Sequence, residues 1–598
     1  LKKGKENSTG SSSNTFRKQD LDDTAGFSGV DLNNSDPGAG DDDNIHFDFD
    51  ENDVEKYRKQ SQDKYQGRDG GADARVYRKQ DLDTRMDIND DGHSAKKPQK
   101  KGLFRQKKEE QPYEPGIGDT VIVGMANKKQ TNKEIRRMAY VMIALMFCVI
   151  AYIVYFDAVG RRNVVNNPNN SLLAKLEEKV ARGSILSSDG KTLAKSAEAD
   201  DGSYYRSYPF SNIFAHVVGT SDINKSGIEQ TADYDLVTSD IQPVEKIINE
   251  IKGVRNPGNN VVTTLDSSLQ KVAYDELGDS DGAVVALDPK TGKVLAMVSK
   301  PDYDPNTLAK KYKSILKDSS SKVLLNQATQ GLFVPGSIFK IVTTLAYLRS
   351  GHDPDKYSYN CDGSISLATD SGTKHSISCY DGEVHGKVDL TTSFAESCNS
   401  SFANIGQSIT VAEMNSVCDD LLFNRSLPTA FKTATSVFSL KDSDSKWTIG
   451  ATAIGQGSTQ ISPLHAAMLV SAIANGGELM EPYVIDKVVS ADGNTVRKNS
   501  SVSAGELMSS SEVKRLQKMM RAVVTEGTGY KLQNKSYSSA GKTGTAEVSG
   551  KGNNAWFVGY APADDPQIVV CVLLEDSGTA STSAVPIAGA LFDEYFSK

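Results

Sequence analysis

The 598-residue chain carries 68 Lys and Arg against 77 Asp and Glu, a formal net charge of −9, with a mean hydropathy of −0.42. That length corresponds to roughly three to five units of about 100–200 residues, and the acidic balance argues against a nucleic-acid binder. Six Cys are too few for a disulfide-built scaffold, and seven His fall in no CxxC or HExxH arrangement, so no metal site and no cofactor is signalled.

Residues 1–127 are rich in Asp, Asn, Gly, Ser, Lys and Gln and read as a disordered tail, since they bury too little apolar surface to offset chain entropy. The tail is acidic near Asp41-Asp42-Asp43 and basic from Lys96 to Lys108. Arg-Lys-Gln-Asp-Leu-Asp occurs at 17–22 and again at 78–83, with a partial copy at Arg58-Lys59-Gln60. Two readings stay open: drift in a solvated segment, or a docking motif for a cytoplasmic partner. The chain opens on Leu1 rather than Met, which leaves the natural N-terminus open.

Met138 to Phe156 is an uncharged apolar run of 19 residues. At about 1.5 Å per residue it just crosses a ~30 Å hydrocarbon core. Lys128, Lys129, Lys133, Arg136 and Arg137 precede it, and only Arg161 and Arg162 follow. This asymmetry predicts a single-pass protein with a cytoplasmic N-terminus and most of its mass outside. A cleaved signal peptide is not expected so far along the chain.

Beyond the span, residues 157–258 read as a small mixed domain and 259–598 as a larger α/β domain. Gly282–Leu287 and Val294–Val298 flank the turn Asp288-Pro-Lys-Thr-Gly292 and predict a hairpin. Ile338–Leu348 reads as a helix, 555–560 and 568–574 as strands, and 587–596 as a closing helix.

Ser337-Ile-Phe-Lys340 places a hydroxyl and an amine at i and i+3, on one helix face. A neutral Lys340 there would take the Ser337 proton, and burial would favour that neutral form. The spacing alone is weak, for it recurs at Ser314/Lys317, Ser319/Lys322 and Ser511/Lys514. The Pro335-Gly336 entry and the apolar run behind it set Ser337 apart. Ser397-Cys398-Asn399 and then Lys542-Thr543-Gly544-Thr545 follow in order, completing an S-x-x-K, S-x-N, K-T-G set. Lys290-Thr-Gly292 and Ser358-Tyr-Asn360 repeat two of these patterns in turn or loop contexts.

On these motifs the chain resembles a class B penicillin-binding protein, a membrane-anchored peptidoglycan D,D-transpeptidase. The resemblance covers about residues 157–598. It extends to Arg182-Gly-Ser-Ile with Leu193-Ala194, Arg206-Ser-Tyr-Pro209, His216-Val-Val-Gly219, Gly227-Ile-Glu229, Thr264-Leu-Asp266, Gly455-Gln-Gly457, Pro463-Leu464 and Trp556-Phe-Val-Gly-Tyr560. The region before 259 resembles the short pedestal of the penicillin-binding protein A type. The implied fold is α+β: an antiparallel sheet flanked by helices, as in serine transpeptidases and β-lactamases.

The resemblance implies roles for individual residues. Ser337 is the acylated nucleophile and Lys340 its base. Ser397 relays protons, Asn399 binds substrate peptide, and Lys542 keeps the site electropositive. Thr543, Gly544 and Thr545 hold the donor's terminal carboxylate. The amides of Ser337 and Thr545 form the oxyanion hole. The reaction is acyl transfer from D-Ala-D-Ala stem peptides to a neighbouring stem-peptide amine, with β-lactams as covalent inhibitors and a role in cell shape or division. About a hundred residues between span and catalytic domain leave no room for a glycosyltransferase, so a polytopic membrane polymerase is the implied partner.

A D,D-carboxypeptidase and a β-lactam sensor are the alternatives. The pedestal blocks argue against the first, and the absence of further membrane helices and a folded effector domain against the second. Cys398 reads as a packed small residue. Cys361 and Cys379 face an oxidising compartment, where a disulfide between them is left open. Cys148 lies in the span, and His216, His385 and His465 are given structural roles.

Overall fold

The computed structural model describes residues 120–155, 171–547 and 552–598. The tail repeats, Phe156 and residues 157–170 lie outside the described residues. Helix α1 runs from Thr120 to Tyr155, so residues 120–127, expected in the disordered tail, are helical. Adding residues to an existing helix avoids the cost of a new nucleus, and Thr120–Ala126 contains no proline. Lys133–Tyr155 has a mean hydropathy of 2.4 and is long and apolar enough to cross a membrane. Its side chains from Met138 to Tyr155 are exposed on every face, which suits lipid rather than a protein core.

A six-stranded sheet follows. Strands β1 (Ile185–Leu186), β2 (Thr192–Glu198) and β3 (Tyr204–Ser207) come from the first region, and β4 (Asn260–Thr263) from the start of the second. The hairpin Ile485–Val489/Thr495–Lys498 completes it from far along the chain, in the order 495–498, 485–489, β4, β1, β2, β3. Only β1 and β4 pair in parallel; the remaining pairs are antiparallel.

Helix α2 (Ser267–Leu277) leads into β5 (Gly282–Leu287) and β6 (Val294–Lys300). In the turn between them the Asp288 carboxylate accepts from Lys290 N at 2.9 Å and from Thr291 Oγ1 at 2.6 Å. Its Lys290 faces solvent and pairs with Asp565. Helix α3 (Lys340–Arg349), α4 (Asn399–Ser408) and α5 (Pro463–Ala474) precede β7 (Ala540–Ala546), β8 (Asn554–Ala561) and β9 (Ile568–Leu574). Helix α6 (Ala584–Phe596) closes the chain.

The five long strands form one antiparallel sheet in the order β7, β8, β9, β5, β6. Its strands bury both faces, so they read as continuous apolar runs rather than alternating ones. Val284, Ala286, Phe557, Val570 and Val572 pack under α2 and α6. Val285, Leu287, Trp556, Val558 and Val569 pack on the α5 side. Strand β7 lies at one edge of this sheet.

The motif blocks of the first region meet in a buried charge network. Glu229 is fully buried and accepts from Arg182 Nε and Arg206 Nε, both at 2.7 Å. Arg206 also donates to Gly183 O at 2.7 Å, and Arg182 pairs with Asp233. Burial disfavours the Glu229 charge, but the guanidiniums of Arg206 and Arg182 hold its carboxyl below the usual range. Removing one member strands the others, so Glu229→Ala is expected to cost about 3–5 kcal/mol in equilibrium denaturation. Lys271→Ala, which breaks the exposed Lys271–Asp275 pair, is expected to stay within about 1 kcal/mol. Equal effects would refute the network as a stabilising centre.

Candidate active site

Ser337 sits on a 3₁₀ turn, Gly336–Phe339, and Lys340 opens α3 directly behind it. A 3₁₀ turn has about three residues per turn and stacks i over i+3. Three contacts fix this turn. Gly336 N donates to Gly455 O at 2.9 Å. Trp556 Nε1 donates to Val334 O at 3.1 Å. On the third side β7 packs so closely that a Cβ on Gly544 would stand 3.1 Å from Ile338 N. Gly455 is bound as tightly: at φ +80°, its Cβ would lie 2.0 Å from Gly336 O.

The second motif lies between the short helix Leu390–Ala395 and α4. Ser397 takes a left-handed φ of 57°, and Cys398 caps α4, its Sγ accepting from Ser401 N at 3.4 Å. The third motif lies on the edge strand β7, paired in register with β8 (Lys542 opposite Val558).

Chain folding brings all three motifs together. Lys340 Nζ donates to Ser397 O at 2.6 Å and to Asn399 Oδ1 at 2.7 Å, and stands 3.2 Å from Ser397 Oγ. Lys542 Nζ donates to the same Ser397 Oγ at 2.9 Å and to Thr543 O at 3.0 Å. Ser397 Oγ therefore lies between two lysine nitrogens. The Ser337–Lys340 contact that the spacing predicts is not a hydrogen bond: among the described residues Ser337 Oγ makes none. Lys340 is instead engaged by the Ser397–Asn399 loop, a long-range contact invisible to local spacing.

Both lysines are fully buried. Burial pulls Lys340 down to about 7, partly opposed by the Cys398 and Cys379 sulfurs. Burial and then the Lys340 charge push Lys542 well below the usual amine range. Phe402 and Phe394 offer ring faces 5.4 and 5.5 Å from the respective nitrogens, a partial substitute for water.

A cleft of about 1070 Å³ opens over the cluster, lined by Ser337, Ser397, Asn399, Thr528, Thr543 and Thr545 among others. The Thr545 carbonyl lies against Gly336, whose Cβ would approach it to 2.7 Å, so the Ser337 and Thr545 amides ride on abutting segments. Thr528 is absent from the sequence reading; its Oγ1 hydrogen-bonds Thr543 Oγ1 at 2.5 Å. Its only trace in the sequence is the run Gly527-Thr528-Gly529, with Gly527 pressed against Ala395 O.

Beside the Ser397–Asn399 loop lies a group of side chains of the types that ligate metals, which the sequence motifs do not signal. Cys361, Cys379, His385 and Cys398 place their donor atoms within 4.8 Å of one another. All three cysteines are free thiols, with Cys361 and Cys379 Sγ 3.7 Å apart and no disulfide between them. Their sequence spacings match no short ligand motif, because the set is assembled from the end of the strand Tyr359–Cys361, the loop holding Cys379 and His385, and the cap of α4.

Two family models match the chain. Residues 282–593 match the penicillin binding protein transpeptidase domain, and 182–261 match the penicillin binding protein A dimerisation domain. Peptidoglycan D,D-transpeptidase PbpA of Mycolicibacterium smegmatis is 30% identical over 490 residues, covering 77% of this chain and 98% of that protein. Penicillin-binding protein A of M. tuberculosis, solved as a penicillin G acyl-enzyme complex, superposes with a TM-score of 0.62 at 29% identity, over 70% of this chain and 99% of that one. Its imipenem acyl-enzyme complex superposes with a TM-score of 0.64 at 28% identity, with the same coverage.

A methyl group at Gly455 must displace the Ser337 turn. Gly455→Ala is therefore expected to destabilise by about 3 kcal/mol or more. Gly190→Ala, at φ +81° with open space around it, is expected to cost only about 1–2 kcal/mol. Denaturation midpoints of the two variants check the difference.

Proposed function

This chain belongs to the penicillin-binding protein transpeptidase family, and from that membership and the geometry of its cleft we propose how it works. It is a serine D,D-transpeptidase that cross-links peptidoglycan and is acylated by β-lactams. The observation that carries this reading is Ser397 Oγ bridging Lys340 and Lys542 beside Ser337.

A neutral Lys340 has two N–H groups, which suit the Ser397 carbonyl and Asn399 Oδ1. Its lone pair is then left to take a proton. In acylation Ser337 Oγ loses its proton to Lys340 and attacks the carbonyl of the penultimate D-Ala. The Ser337 and Thr545 amides receive the developing oxyanion. Ser397 Oγ passes the proton on to the departing D-Ala amine. The same relay, run in reverse, takes a proton from the amine of the acceptor stem peptide as it attacks the acyl-enzyme. Lys542, Thr543 and Thr545 hold the donor carboxylate, with Thr528 orienting the Thr543 hydroxyl. Gly544 lets β7 approach the nucleophile turn closely enough to do so.

The same reading extends to the architecture. Residues 1–127 form a cytoplasmic tail, 138–156 the span, 157–258 the pedestal and 259–598 the catalytic domain outside the membrane. The cationic residues before the span support that orientation. The glycan strands come from a separate polytopic polymerase.

Fluorescent penicillin is expected to label the full-length chain covalently and to leave Ser337→Ala unlabelled; a persisting adduct would overturn the nucleophile assignment. Lys340→Ala is expected to slow acylation by about 10²–10⁴-fold. Stem peptides offered with an amine acceptor are expected to be cross-linked. Hydrolysis alone would make the chain a carboxypeptidase, and acylation without turnover a sensor.

The pH profile tests the base. Lys340 acts when neutral, and its pKa is lowered to about 7. The acylation rate is therefore expected to rise between about pH 6 and pH 8 and then level off. A rate flat to about pH 9 and rising only beyond would mean that burial does not neutralise this amine.

A further inference from the structure

Three thiols and an imidazole converge against the Ser397–Asn399 loop. Cys379 Sγ lies 3.7 Å from Cys361 Sγ and 3.7 Å from Cys398 Sγ. His385 Nδ1 lies 3.3 Å from Cys361 Sγ, and all four donor atoms fall within 4.8 Å of one another. A tetrahedral ion with metal–sulfur bonds of about 2.3 Å and metal–nitrogen bonds of about 2.0–2.1 Å needs sulfur–sulfur edges of about 3.8 Å and sulfur–nitrogen edges of about 3.6 Å. The observed separations are close to those edges. A disulfide would need about 2.05 Å and would leave the third thiol over.

The surroundings are also those of a ligand set. Cys361 and Cys398 are 0% exposed and Cys379 is 3% exposed. Cys361 Sγ accepts from Ser400 Oγ at 3.1 Å and from Gly363 N at 3.4 Å, and Cys398 Sγ from Ser401 N at 3.4 Å. Donors aimed at sulfur favour the thiolate. His385 Nε2 is buried without a hydrogen-bond partner and stands 3.7 Å from the Glu383 carboxylate. An imidazole that ligates through Nδ1 carries its proton on Nε2, and a carboxylate behind it is the usual orienting group. As ordinary core, the same nitrogen would simply be a buried group left unsatisfied.

We propose that Cys361, Cys379, His385 and Cys398 bind one Zn²⁺ as a closed Cys₃His site that holds the Ser397–Asn399 loop in its working position. Three thiolates and an imidazole select zinc, and four protein ligands leave no open position for chemistry on the ion. Cys398 lies between Ser397 and Asn399, the two partners of Lys340. Ser397 is held at a left-handed φ of 57°, a conformation unfavourable for a residue with a Cβ that has to be sustained from outside. Ligation of Cys398 does this, joining the loop to residues 361–385. Asn399 Nδ2 reinforces the link by donating to Ser378 O at 2.9 Å. The four ligands are thus positioning residues for acylation. That role rests on the transpeptidase reading; the zinc stoichiometry does not.

The test uses the full-length chain purified in detergent without chelator. Elemental analysis is expected to find about one zinc per chain, lost in Cys379→Ser and His385→Ala and kept in His385→Cys, which preserves four ligands. Wild type reloaded with Co²⁺ is expected to show thiolate-to-cobalt charge transfer and tetrahedral d–d bands. Zinc removal from the wild type is expected to slow penicillin acylation at least about tenfold, reversibly on adding Zn²⁺, which separates positioning from misfolding of a variant. Metal-free chain as purified, with Cys361 and Cys379 disulfide-linked or all three thiols free, overturns the site. Stoichiometric zinc whose removal leaves acylation unchanged overturns the positioning role. Zinc-loaded wild type that never acylates counts instead against the transpeptidase reading.

Discussion

Two amines that would both be charged in water share one hydroxyl in the interior of this protein. Through Ser397 Oγ the nitrogens of Lys340 and Lys542 are held within about 6 Å of each other. Both side chains are fully buried, and the loss of water is the larger force against their charges. Repulsion adds to it: at an effective dielectric near 20, two full charges at that distance repel by roughly 3 kcal/mol. The pair therefore gives up a proton near neutrality, and a neutral amine is what a serine nucleophile requires. The rest of the domain can be understood as what it takes to hold two lysines where neither is comfortable.

That holding is done by rigid pieces. Lys340 starts a helix whose first eight residues are buried. Lys542 lies on a strand paired along its whole length with β8. The hydroxyl comes from a loop clamped by a helix cap on one side and by Lys340 on the other. Neither lysine stands on a loop and both are buried, so the repulsion is not relieved by side-chain escape into solvent. The glycines at 455 and 544 matter for the same reason. Each removes the one carbon that would keep two backbones apart, and the distance saved lets the nucleophile turn sit against the sheet edge.

What could be read from the sequence follows from range. The β5–β6 hairpin, the strands near 555 and 568 and the closing helix depend on local periodicity and on turn chemistry such as Asp288, and they fall where the pattern places them. The order of Ser337, Ser397 and Lys542 was legible because the three motifs are short and family-wide. Three things were not legible. Lys340 bonds to the Ser397 loop rather than to its i−3 neighbour, Thr528 meets Thr543 across a turn, and three cysteines with a histidine meet from a strand end, a loop and a helix cap. Each is a contact between segments whose separation no periodicity encodes. The helical start at Thr120 is hidden for a different reason: the few apolar residues of 120–125 adjoin a long polar stretch whose composition masks them.

The six-stranded sheet bears on how the two matched regions relate. One family model covers 182–261 and the other 282–593, yet 485–498 supplies two strands to the sheet that the first region begins. Arg497 adds an ion pair to Asp235 at 2.7 Å. Strand β4 lies at the join: it pairs in parallel with β1 and antiparallel with 485–489. Neither region can complete its hydrogen-bonded ladder alone, and an unpaired β4 edge would leave backbone polar groups without partners. A displacement of the 182–261 region has to be carried into the rest of the chain through continuous strands, without the slack that a linker would provide.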